Sequence, residues 1–214
     1  MTNRARGAKT LKGALVSVSG SGAVNMITFQ YNPATLKRTV QPQMVGGDEN
    51  DRSEAIRFTG APVQVIQVEI ELDATDQLDK GDPTAVQSGI SPQLSALELL
   101  AYPDLDQVNQ NQSLLESGII EMAPLTAPRI LFVWGPNRVL PVRINNYTIT
   151  EEVFDANLNP IQAAVSLSMR VLNYSDLTSD NKEYHQFMVY QQNMITLANQ
   201  ALFINSTGVN SGEF

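Results

Sequence analysis

The sequence predicts a mainly β protein with some α: an antiparallel β-barrel or sandwich with one short inserted helix and one C-terminal helix. Two long stretches, Ala61 to Thr75 and Ile161 to Asn173, alternate apolar and polar residues, the pattern of strands with one buried face. Gly20, Gly22, Gly46, Gly47 and Gly60 supply the punctuation of strands and turns. Helical 3,4 spacing appears over 91–102 and over roughly Asn181 to Phe203. The 214 residues therefore divide into a β-domain at 1–175, with helix 91–102 inserted, and a C-terminal helix with a frayed polar tail at 176–214.

Val16 and Val18 alternate with Ser17 and Ser19, which suits a first strand. SGSGAV at 19–24 reads as a turn into a second. Ile27, Phe29 and Tyr31 then alternate with Thr28 and Gln30, Asn32-Pro33 breaks the run, and an extended segment carrying Lys37 and Arg38 ends at Pro42. In the clearest strand, Ile66, Val68, Ile70 and Leu72 share one face and Gln67, Glu69 and Glu71 the other. Val63 and Val65 fall out of that phase, which predicts a bulge near Val65. TDQLDKGDPTAVQSG reads as a loop. Ser91 is placed to cap the inserted helix and Pro92 to sit in its first turn, with Leu94, Leu97 and Ala101 as its buried stripe and Leu100 beside it. DLDQVNQNQSLLESG reads as a polar loop with a weak helical turn.

RILFVWG is a short, nearly continuous apolar strand. In the next, Leu140, Val142 and Ile144 share a face, and Tyr147 and Ile149 change parity after Asn145-Asn146, predicting a bulge there. Pro141 lacks a donor, which predicts an edge or a bulge at that point. After a turn at Asn157 to Pro160, Val165, Leu167, Met169 and Val171 point inward. In the terminal helix Asp180 and Glu183 form a variant capping box, and Tyr184, Phe187, Met188, Gln191, Ile195, Ala198 and Leu202 form one buried stripe.

The bulk properties exclude several functions. Zero cysteines rule out disulfides and thiolate chemistry. No apolar run approaches the roughly 20 residues of a membrane-spanning helix, and the basic N-terminus lacks the apolar core of a secretory signal. The net charge is −8, unevenly placed: six of the 14 basic residues stand in 1–47 with no acid, so the rest of the chain sets eight against all 22 acidic residues. Such a chain lacks the broad basic surface of a nucleic-acid binder. It does suit head-to-tail electrostatic complementarity between copies.

A search for catalytic groups yields none. His185 is the sole histidine, on a helix, and no G-x-S-x-G elbow accompanies it. The acidic clusters GDENDRSE at 47–54 and DATDQLDKGD at 73–82 miss the EF-hand pattern. SGSGAV lacks the lysine of a P-loop. Trp134, the one tryptophan, sits in a strand as core residues do. No metal, cofactor or enzymatic activity is expected.

Taken together, FQYNPATLKRTVQP, RFTGAPVQVIQVEIELDATD, LSALELLAYPD and APRILFVWGPNRVLPVRINNYTITEEVFDANLNPIQAAVSLSMRVL resemble, in order and spacing, the tube-domain proteins of contractile injection systems, the phage-tail-tube-like family. The resemblance covers roughly residues 10–175. Where the family carries Gly-x-Pro and Arg-Ala in its last turn, this chain has Asn159-Pro160 and Ala163-Ala164, so a looser loop is expected. Relatives often add a LysM module, which this sequence lacks up to Phe214, so peptidoglycan contact is not expected.

The resemblance implies a tail-tube-type fold and a non-catalytic, ring-forming homo-oligomer, usually of six copies. It implies a hub subunit adapting the inner tube to a VgrG-like spike in the baseplate, beside sheath and baseplate components, with no nucleic-acid partner and no membrane insertion. An inner-tube or tube-initiator subunit is the close alternative; length and the terminal helix favour the hub. A soluble β-barrel ligand-binding or hydrolase domain is the alternative of another class. The implied location is the bacterial cytoplasm, within a particle that is released or membrane-anchored. Phe29, Tyr31, Asn32, Pro33, Lys37, Arg38 and Trp134 are the candidate inter-subunit contacts. Gln67, Glu69 and Glu71 are the candidate lumen-facing residues, and loops 41–56 and 73–90 the candidate contacts to the next ring.

Overall fold

The computed structural model describes residues 11–18, 24–45, 57–118 and 124–205. Strands β1 (Ala14–Val18) and β2 (Val24–Thr28) form a hairpin, followed by β3 (Leu36–Gln41) and the short pair β4 (Met44–Val45) and β5 (Arg57–Phe58). After β6 (Val63–Asp73) come helices α1 (Thr75–Asp79), α2 (Pro83–Ser88), α3 (Ser91–Glu98) with a 3₁₀ turn at Leu99–Ala101, and α4 (Leu105–Glu116). Strands β7 (Arg129–Val133), β8 (Val139–Phe154) and β9 (Pro160–Val171) lead to α5 (Lys182–Asn205).

Seven strands make one sheet in the order β2-β1-β7-β8-β9-β6-β3, each pair antiparallel. The mainly antiparallel β fold with inserted and terminal helices is the one the alternating stretches predict. Within one chain the sheet stays open, with β2 and β3 at its ends. The core joins Ile66, Val68, Ile70 and Leu72 of β6 to Val165, Leu167, Met169 and Val171 of β9, Phe132 of β7 and Leu140 of β8. Leu94 and Leu97 of α3 and Phe187 and Tyr190 of α5 complete it.

Several local expectations are corrected. Strand β6 is not bulged at Val65: its register against β3 and β9 runs unbroken. The unbroken pleat carries Gln64, 8% exposed, onto the apolar face and turns Val63 and Val65 to the other. Pro141 is not at an edge, since β8 lies between β7 and β9. Its carbonyl accepts Leu172 N–H at 2.9 Å, one step beyond the last β8–β9 pair, Val142 with Val171. The missing donor therefore falls at the end of that ladder, where it costs least. The bulge after Ile144 is present, with Asn145 as the extra residue.

The stretch 75–89 is not a plain loop. Asp82 Oδ1 accepts Thr84 N–H at 2.9 Å and Ala85 N–H at 3.1 Å, and Pro83 opens α2, an N-terminus made by Asp-Pro-Thr. The polar stretch 104–118 is likewise a helix, with Asp104 capping Asp106 N–H at 3.0 Å; α4 buries no residue, so its apolar pattern was too thin to mark it. Ser91 lies inside α3 instead of capping it, because Ile90 takes the cap position. Leu100, not Ala101, is buried, since the 3₁₀ turn continues Leu94 and Leu97 at a spacing of three. Helix α5 starts at Lys182, so Asn181 and not Asp180 is the residue that precedes it. Its buried stripe stops early: Phe187 and Tyr190 are buried, while Met188, Ile195 and Leu197 are exposed.

The loop expected to be loose is tight. Asp155 N–H donates to Asn159 O at 2.9 Å, and the Asp155 carboxylate accepts Asn157 N–H, Asn159 N–H and Asn159 Nδ2 at 2.7–2.8 Å. Leu158 takes the positive φ of 66° that the turn needs.

Candidate subunit interface

The face of the sheet turned away from the core becomes polar across four adjacent strands, β3, β6, β9 and β8. Residue rows cross it at right angles: Lys37 lies opposite Gln67, Gln67 opposite Ser168, and Ser168 opposite Asn146. One step along, Glu69 meets Ser166, which meets Thr148; then Glu71 meets Ala164, which meets Thr150. Alternation within each strand forces this arrangement once Ile66, Val68, Ile70 and Leu72 are buried. The wall is small, hydroxylated and hollowed, with Thr35, Lys37, Gln67, Glu69 and Asn146 around a depression of about 350 Å³. Gln67, Glu69 and Glu71 are exposed on it, as one polar face requires.

This four-stranded wall has two free margins. Among the described residues, β3 on one side pairs only with β6. On the other, β8 pairs with β7 only over Val139–Val142, so that, among the described residues, 146–154 pair with β9 alone. Strand edges of this kind expose backbone donors and acceptors that another strand can take. Lys37 and Arg38 stand exposed on the β3 margin, and Glu151 and Glu152 on the β8 margin. Among the described residues, none of the four belongs to an ion pair.

Sequence reasoning did not single out residues 146–154 as a margin. The signal was present: the extended pattern that begins at Val139 resumes after Asn145-Asn146 and runs on to Phe154, so it had to outlast the five-residue strand Arg129–Val133 with which it forms a hairpin.

The segment between β2 and β3 packs along the wall. Tyr31 is exposed and lines, with Glu69, Glu71, Glu152 and Gln162, a hollow of about 390 Å³. Asn32 is held within the chain: its Oδ1 accepts Gly13 N–H at 2.8 Å and its Nδ2 donates to Leu11 O at 2.7 Å. Pro33 follows in the same turn, beside Glu69 and Glu71. Beyond the end of β3, the Gln30 amide takes the place of a strand. Its Nε2 donates to Asp73 O at 2.6 Å and its Oε1 accepts Asp73 N–H at 3.0 Å.

Two candidate contacts lie inside the protein. Phe29 is 1% exposed and packs on Phe132, ring centroids 6.5 Å apart. Ile27 and Phe29 share the inward phase of β2; Tyr31 has the same parity but is exposed, because β2 ends at Thr28 and the chain bends at 30–31. Trp134 is half-buried and stacks on Phe132 at 5.9 Å, with Gly13 leaving room for its ring. Neither side chain joins Lys37 and Tyr31 on the wall, and Arg38, opposite Ile66, stands on the other face of β3.

Asp73 and Asp82, of the acids at 73–82, have structural duties. The Asp73 carboxyl is held below its ordinary value of 3.8 by hydrogen bonds from the Thr75 side chain and backbone and from Gln162. The Asp155 carboxyl is held low by the Asn159 side chain and then by backbone N–H groups. Burial, then the charge of Glu98, pushes the Tyr147 hydroxyl up. Among the described residues no three potential ligands cluster for a metal, and no helix is long and apolar enough to cross a membrane. The cluster at 47–54, most of loop 41–56, Arg4, Arg6, Lys9 and the tail 206–214 lie outside the described residues. His185 is exposed and meets the Tyr184 ring edge-on at 5.6 Å. A hollow of about 460 Å³ between β2 and α3 is lined by Phe29, Leu72, Leu97, Gln30, Gln77 and Gln93 among others, none of them titratable.

No family model matches the chain, and no curated protein matches it. Among solved structures, one described as "Tail of empty GTA particle computed with helical refinement, C6 symmetry" shares 12% identity and a TM-score of 0.30, over 74% of this chain and 90% of that one. A likeness of that size carries no argument about this chain.

Proposed function

We propose that this protein is a non-catalytic structural subunit that closes into a ring, the hub between the inner tube and the spike of a contractile injection system. The observation that carries the reading is the four-stranded polar wall with a free margin on each side. A monomer has little use for two unpaired margins; a ring built by a head-to-tail contact uses both. The sequence resemblance of FQYNPATLKRTVQP and the β7–β9 segment supplies the injection-system assignment and the number six. Helix α4 and the outer half of α5, which bury little against their own sheet, give the hub surfaces beyond those of a plain tube subunit.

Six copies of four strands, about 4.8 Å apart and tilted by about 40°, close a barrel of about 48 Å backbone diameter. Gln67, Glu69, Glu71 and Lys37 would line it, giving a wet wall along which cargo slides. Light scattering after size-exclusion chromatography, with micrographs of the same fractions, tests the reading. Closed rings with a central opening of that size are expected. A protein that stays monomeric at high concentration refutes it. Micrographs of whole particles then separate hub from tube initiator: the hub lies between the tube and the spike.

A further inference from the structure

Closure of a ring leaves open which strand edges meet, and the sheet offers three: β2, β3 and the outer half of β8. We infer that residues 146–154 of β8 pair antiparallel with β3 of the next copy, setting Glu151 and Glu152 against Lys37 and Arg38. This seam rests on the ring reading.

Strand parity selects it. All neighbours in the sheet are antiparallel, so directions alternate along the order β2-β1-β7-β8-β9-β6-β3. The first and seventh strands, β2 and β3, therefore run the same way. Rotation about a ring axis preserves each strand's sense along that axis. A seam of β2 on β3 of the neighbour would thus be parallel, interrupting an otherwise antiparallel sheet. The set β3-β6-β9-β8 has an even number of strands, so its seam is antiparallel, the slightly more stable pairing.

Barrel geometry then sets the register. Four strands at about 4.8 Å span roughly 19 Å, and a tilt of about 35–45° staggers them by about 13–19 Å. At about 3.3 Å per residue the stagger is about four to six residues, and it must be even to keep polar with polar. The untilted row runs from Lys37 to Asn146. A shift toward Val139 is blocked, because β7 already occupies that margin. A shift the other way places Thr150, or the bulge formed by Glu152 and Val153, opposite Lys37 of the neighbour.

Either register brings charges of opposite sign together, directly or one diagonal step apart, a spacing at which cross-strand pairs interact. Both faces are served. Lys37 lies on the polar face opposite Gln67, and Glu152 lines the polar hollow. Arg38 lies on the other face opposite Ile66, and Glu151 lies there opposite Ala163.

The cysteine-free sequence permits a direct test. Within one copy, Thr39 and Thr148 stand on strands three spacings apart, about 14 Å. Across the inferred seam they are opposite or diagonal, within about 8 Å. The variant Thr39→Cys with Thr148→Cys, treated with a bismaleimide of about 8 Å reach, is expected to give a ladder of covalent oligomers. Thr39→Cys with Met26→Cys, which probes the β2 seam, is expected to give none. Independently, Lys37→Glu with Arg38→Glu, or Glu151→Lys with Glu152→Lys, should each weaken assembly about tenfold or more, and an equimolar mixture of the two variants should restore it. Rings that cross-link through Met26, or that ignore both charge reversals, overturn the seam and leave the ring reading standing. A wild-type chain that forms no ring overturns both.

Discussion

Replacing Gly89 with alanine tests how the helical insert is fastened to the β8–β9 hairpin. Gly89 follows α2 at φ 56° and ψ −130°, a region held almost only by glycine. A Cβ there would run into the carbonyl oxygen of Pro160, the atom that accepts Ile90 N–H at 2.8 Å. The backbone strain costs about 1–3 kcal/mol, the forced displacement about 1–3 kcal/mol, and the disturbed hydrogen bond about 1 kcal/mol. Together they make about 5 kcal/mol, a large share of the roughly 5–15 kcal/mol that holds a domain. Gly81 supplies the control. Its φ is also positive, at 67°, but nothing lies within 4 Å of a Cβ built on it, so Gly81→Ala carries only the first cost, about 1–2 kcal/mol. At about 2–4 °C per kcal/mol for a chain of this size, Gly89→Ala lowers Tm by about 10–20 °C and Gly81→Ala by about 2–8 °C. Urea unfolding followed by circular dichroism, at one protein concentration, gives both differences directly. Equal losses for the two variants would refute the claimed contact between the insert and Pro160.

Gln30→Ala removes both amide bonds to the Asp73 backbone, costs about 1–2 kcal/mol, and exposes the Asp73 amide; hydrogen exchange at that residue should accelerate while exchange at Ile66 is unchanged. Phe132→Ala empties the centre of the Phe29–Phe132–Trp134 group and costs about 3–5 kcal/mol, with a change in tryptophan fluorescence because Trp134 loses its stacking partner. The carboxyls of Asp73 and Asp155 sit below their ordinary value of 3.8 in the folded chain. Their contribution to stability is therefore present above about pH 4 and lost as pH falls through the lowered values. Thermal scans from pH 5 to pH 2.5 should show a shallower decline for Asp155→Asn than for the wild type, and an unchanged slope would remove the turn network as the cause.

Most of the sheet was legible because its strands bury one face. Strands β6 and β9 carry the alternation in full, and the parity change after Asn145-Asn146 marked a true bulge. Where burial does not drive an element, pattern failed. Helix α4 has no buried residue to betray it, and α1 and α2 are too short for a period, although Asp82-Pro83-Thr84 held a capping signal. Of the predicted stripe on α5 only Phe187 is buried, with Tyr184 and Gln191 partly so; Tyr190, outside that stripe, is buried while Met188 and Ile195 are exposed, because a sequence cannot show which face its partner covers or where that partner stops. The candidate interface was half legible. Lys37, Gln67, Glu69 and Glu71 do share one exposed face, but Arg38 stands on the other face, Phe29 belongs to the core and Trp134 is half-buried against it. The acidic margin at Glu151 and Glu152 depends on how far β8 outruns β7, a long-range fact that adjacent residues do not encode.

The length of β8 has a mechanical consequence. Leu140 and Val142 anchor its first half in the core, while residues 146–154 form the rim of the wall, and one covalent backbone joins the two. Tension applied at the rim travels along that backbone into the hydrophobic centre instead of across a packed boundary between layers. A pull directed along the rim must shear β8 from β9 along nearly its whole length, loading many hydrogen bonds at once rather than one after another.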